Sequence, residues 1–111
     1  MSDDPTPPLG PIASRVLYED ARVRIWEQEI HPGEETASHH HELDYALIEL
    51  GPAELEIAPL AGLPNPHFEE SFELPAKRGN VYFVPKGSHE IARNTGDTPY
   101  RAILVEFKEP A

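Results

Sequence analysis

From Arg15 onward, short runs rich in Val, Ile, Leu, Tyr and Phe are broken by Gly, Pro, Asn and Asp about every eight to twelve residues. Runs so short cannot complete an amphipathic helix, so this spacing predicts an all-β chain. The expected strands are RVLYE, VRIWEQEI, TASHHH, DYALIEL, AELEIA, EESFEL, NVYFVP, HEIARN and YRAILVEF. Between them lie HPGEE, LGPA, PLAGLPNPH, PAKRGN, PKGS and NTGDTP, segments built from the residues that turns demand. No window combines helical periodicity with caps, and no internal repeat is present. Short antiparallel strands whose edges need cover predict a barrel or a sandwich.

The 111 residues suffice for one domain with one core. Four prolines among the first eleven residues prevent regular pairing there. Residues 1–13 are therefore expected to be a proline-rich arm, and 14–111 a single barrel domain. The arm and the alternating RVLYEDARVRIWEQEI, around Trp26, are expected to pack on a second copy and give a homodimer.

With 9 Lys and Arg against 20 Asp and Glu, the formal charge is −11, which repels nucleic-acid phosphates and anionic lipid. A small-molecule ligand is the expected partner, with no nucleic acid and no membrane. Cysteine is absent, which excludes disulfides, thiolate nucleophiles and sulfur-based metal sites. The acidic, proline-rich start is unlike a secretory signal, so a cytoplasmic protein is expected.

Half of the six histidines are adjacent, at 39–41. On a strand, His39 and His41 share one face and His40 points to the other. Two converging imidazoles suit Zn, Fe, Ni or Cu at about 2.0–2.1 Å per nitrogen. Binding requires neutral rings with an ordinary pKa of about 6.5, so affinity is expected to weaken steeply from about pH 7 to pH 5. His31, beside Pro32 and Gly33, reads as a turn residue and His67 as a loop residue. Arg93 and Arg101 could clamp a carboxylate but have many acidic side chains to pair with on the surface.

Gly33, EETAS, His39-His40-His41, Asp44 and Gly51 resemble the first motif of the cupin superfamily. Gly79, NVYFV, Pro85-Lys86-Gly87, His89 and Asn94 resemble its second. Together they span residues 33–94. The resemblance implies an all-β double-stranded β-helix, a jelly-roll barrel, with a metal inside it.

Two positions depart from the family pattern. Its glutamate falls on Asp44, or on Tyr45 at the nominal spacing, with Glu42 a further carboxylate nearby. Its second-motif histidine position holds Glu90, one residue past His89. The expected metal set is His39, His41 and His89, because imidazole is the better ligand for a borderline metal, with Glu90 as the alternative. Asp44 and Tyr45 are the expected proton-transfer groups. The resemblance implies a divalent transition metal (Fe, Zn, Ni or Mn) and a metal-dependent enzyme of dioxygenase, isomerase or lyase type acting on a small organic acid. The alternative is a non-catalytic cupin that binds or senses a small molecule.

Overall fold

The computed structural model describes residues 9–109, so the first eight residues of the expected arm lie outside it. The described chain forms β1 (Arg15–Glu19), β2 (Val23–Ile30), β3 (His39–His40), β4 (Tyr45–Glu49), β5 (Ala53–Pro59), β6 (Phe72–Ala76), β7 (Val81–Val84), β8 (His89–Asn94) and β9 (Tyr100–Phe107). Each falls within or against an expected run, and β3 contracts to two residues. All pairings are antiparallel, in a five-stranded sheet β1-β2-β9-β4-β7 and a four-stranded sheet β3-β8-β5-β6. The fold is the all-β double-stranded β-helix.

The period of two sets what each sheet buries. Along β9, Tyr100, Ala102, Leu104 and Glu106 are buried, and the residues between them are not. On β5, Ala53, Leu55 and Ile57 face inward by the same rule. With Ile30, Tyr45, Ala76 and Ala92 they form one core between the sheets. Ile12 and Ala13, assigned to the arm by their sequence, also lie in this core. Gly10 N–H anchors that entry by donating to Ser38 O at 2.7 Å, ahead of β3.

Two carboxylates are buried in the barrel wall. Glu49 is fully enclosed and accepts from Tyr100 Oη at 3.0 Å and Asn80 Nδ2 at 3.1 Å. Glu106 accepts from Arg24 Nε at 2.8 Å and from Trp26 Nε1 at 2.6 Å. A buried carboxylate is tolerable only with such partners. Trp26 is thereby held half-buried against the core. Exposed apolar side chains lie on both edges of the five-stranded sheet, Val16, Leu17 and Tyr18 on β1 and Val81 and Phe83 on β7. No helix among the described residues is long and apolar enough to cross a membrane.

Candidate metal site

β3 and β8 pair with His39 opposite Glu90 and His40 opposite His89. Directly opposed residues in an antiparallel pair share a face. One cross-strand pair therefore enters the barrel and the next leaves it. His39, His41 and Glu90 are buried together, with one potential ligand atom from each lying within 4.8 Å of the others. His40 and His89 stack outside at 3.9 Å between ring centroids.

The expected third ligand lies apart from this cluster. His89 does not join the cluster; its Nδ1–H donates to Pro64 O at 2.7 Å on the outer side. Glu90 takes the place because the 85–88 turn, with Gly87 at φ 126°, delivers the chain into β8 with Glu90 facing inward. A glycine suits that backbone conformation.

Each member of the cluster is held in place. His39 Nδ1 meets Ala37 O at 2.8 Å, so this nitrogen carries the proton and Nε2 is left to face the small pocket that His39 lines with His41, Tyr45 and Glu90. Ser88 Oγ donates to Glu90 Oε1 at 2.7 Å and fixes the carboxylate. His41 stacks on Tyr45 at 4.2 Å. Burial first, and then the charges of His39, His40 and His67, hold the His41 imidazolium pKa down to about 3. The ring is therefore neutral, the form that ligates.

Between these groups lie gaps rather than hydrogen bonds. His39 Nε2 is 3.9 Å from Glu90 Oε2, and His41 Nε2 is 4.0 Å from Glu90 Oε1. Buried His41 Nδ1 has no hydrogen-bond partner. Ligand bonds of about 2.1 Å define a sphere about 4.2 Å across, so small side-chain rotations bring these donors onto one ion. Two histidines and a carboxylate are a donor set for Fe(II), and each donor type also suits other borderline divalent ions.

The other expected site residues separate. Asp44 is exposed, and its Oδ1 accepts from Lys86 N–H at 2.8 Å, which ties the start of β4 to the end of β7. It is corrected out of the site: Tyr45 faces inward, so its neighbour faces outward. Tyr45 lines the cavity beside Glu90. Burial, with a smaller contribution from Glu90, raises its hydroxyl pKa well above the usual value, so it stays protonated. Glu42 is exposed. His31 lies in the 31–34 turn, with its ring on Glu29. Arg93 and Arg101 pair on the surface with Glu35 and Glu56, and with Glu29, respectively.

No protein-family model and no curated protein matches the chain. Solved structures do. A cupin domain from Bordetella pertussis Tohama I is 27% identical, with TM-score 0.74 over 86% of this chain and 91% of that one. A cupin 2 conserved barrel domain protein from Salinispora arenicola CNS-205 is 17% identical, with TM-score 0.61 over 85% and 73%. A cupin superfamily protein from Desulfitobacterium hafniense DCB-2 is 15% identical, with TM-score 0.60 over 91% and 84%. The latter two likenesses are of fold alone.

Proposed function

We propose that this chain is a member of the cupin superfamily, that it holds a divalent transition ion on His39, His41 and Glu90, and that it is a metal-dependent enzyme acting on a small organic acid. The observation that carries this is the pair of unbridged 3.9 and 4.0 Å gaps between a buried carboxylate and two imidazole nitrogens. A buried carboxylate facing a neutral ring without a shared proton is poorly compensated unless a cation lies between them. A bound ion would supply Lewis acidity and, as iron, a binding position for dioxygen, which suits dioxygenase, isomerase or lyase chemistry.

The chain's own residues would do the rest. Ala37 O and Ser88 Oγ fix the orientation of two ligands. Tyr45, kept protonated, would offer a hydrogen bond to a ligand beside Glu90. The test is to load the protein separately with iron(II), zinc, nickel and manganese and screen small carboxylic acids for turnover and oxygen consumption. Turnover by one metal form, lost in Glu90→Ala, is expected. Tight binding without turnover in every form would support the second reading, a binding or sensing module. That reading draws on the loss of Asp44 from the site, which leaves Tyr45 as the retained proton-transfer candidate.

The subunit proposal rests on β1, an edge strand whose Val16, Leu17 and Tyr18 side chains are 44%, 50% and 53% exposed. An uncovered apolar edge invites a second copy. A homodimer is expected in light scattering at micromolar concentration. A mass of 12.4 kDa at every concentration would contradict it.

A further inference from the structure

A cavity of about 390 Å³, at the small end of the range for ligand pockets, opens onto Glu90 and Ser88, and shares Tyr45, Leu47 and Glu90 with the adjoining pocket of about 50 Å³ that His39 and His41 line. Its walls are Phe68, Phe72, Leu74, Tyr82 and Val84, with Tyr45 beside the cluster. Phe68 and Phe72 meet edge to face at 5.1 Å. Among the described residues no lysine or arginine lines it, and the one acidic side chain is Glu90 of the cluster.

The aromatic wall is built in place. The loop from 60 to 71 carries Phe68 and is fastened at several points. Asn65 Oδ1 accepts from His67 N–H and Phe68 N–H, His67 Nε2–H donates to Pro85 O at 2.8 Å, and His89 Nδ1–H donates to Pro64 O. Pro66 lies against Gly87, where any Cβ would come within 2.7 Å of the proline ring. His89 and Gly87 thus fasten the loop that carries Phe68.

We propose that the cavity selects a flat aromatic compound carrying a single anionic oxygen head, a carboxylate, enolate or phenolate, with the head at the cluster and the ring against Phe68 and Phe72. This rests on the metal site proposed above. Beyond Glu90 its polar lining is Ser88, His67, Tyr45 and Tyr82, and among the described residues no fixed cation stands ready to receive a second carboxylate or a phosphate. A ring gains both apolar burial and edge-to-face contact there.

The test titrates cobalt(II)-loaded protein with benzoate, acetate and succinate, following the cobalt absorption band and the heat of binding. Benzoate is expected to bind at least about tenfold tighter than either of the others. Phe68→Ala, and separately the exposed Phe72→Ala, is expected to weaken benzoate by about threefold to tenfold while leaving acetate and cobalt affinity unchanged. Acetate or succinate binding as tightly as benzoate, or neither variant changing the ratio, overturns the proposal. A parallel titration of the metal-free protein with uncharged anisole, read from the NMR signals of Phe68 and Phe72, separates the two readings. Shifts there without cobalt uptake would sink the metal site alone; cobalt uptake without aromatic preference would sink the ligand class alone.

Discussion

Replacing His39 and His41 together by alanine is expected to abolish stoichiometric binding of a divalent transition ion, whereas His89→Ala is expected to retain it. The first pair supplies two of the three clustered donors, each buried and each with a nitrogen near Glu90. His89 stacks on His40 on the opposite face of the strand pair and reaches none of them. Losing an outer partner of a metal ligand alone costs about 10- to 100-fold in affinity, so losing two ligands should leave no binding at micromolar ion. Elemental analysis after dialysis, with circular dichroism to show that the sheets persist, checks both variants. Full metal content in the double variant, or loss of metal in His89→Ala with folding intact, would reverse the assignment.

The metal-free protein is expected to lose stability steadily as pH falls below about 6.5, with His41 a principal cause. In the folded state burial holds the His41 pKa down to about 3, while in the unfolded chain it returns to an ordinary value near 6.5. Below pH 6.5 the unfolded state therefore binds a proton that the folded state refuses. The stability fully present above that pH falls by up to about 5 kcal/mol as pH approaches 3. Urea midpoints measured from pH 7 to pH 4 should drop more steeply for the parent protein than for His41→Phe, which removes the titrating ring. Parallel curves would contradict it.

Much of this was legible because alternation and turn chemistry are local. Val, Ile and aromatic runs bounded by Gly, Pro and Asn placed all nine strands, and the spacing of His39 and His41 put both rings on one face. The choice between His89 and Glu90 was not local, since it depends on how the turn at Gly87 delivers the chain into β8. Counting back by twos from buried Asn94 through Ala92 reaches Glu90, so the burial period carried a signal that ligand chemistry overrode. Asp44 misled in the same way: it has the right functional group but is out of phase with Tyr45. Glu49 and Glu106 were invisible as buried acids because their partners, Tyr100 and Asn80 for one and Arg24 and Trp26 for the other, are far away in sequence. Strand pairing, rather than residue type, decides where such groups end up.

The identity of the third ligand is tested most directly by X-ray absorption at the metal edge of protein loaded with one equivalent of iron(II) or zinc. Two imidazole rings should appear in the scattering pattern, with a carboxylate oxygen in the first shell. Glu90→His should raise the imidazole count to three, and His89→Ala should leave the spectrum unchanged. A parent spectrum that already requires three imidazoles and loses one in His89→Ala would contradict the His39, His41 and Glu90 site.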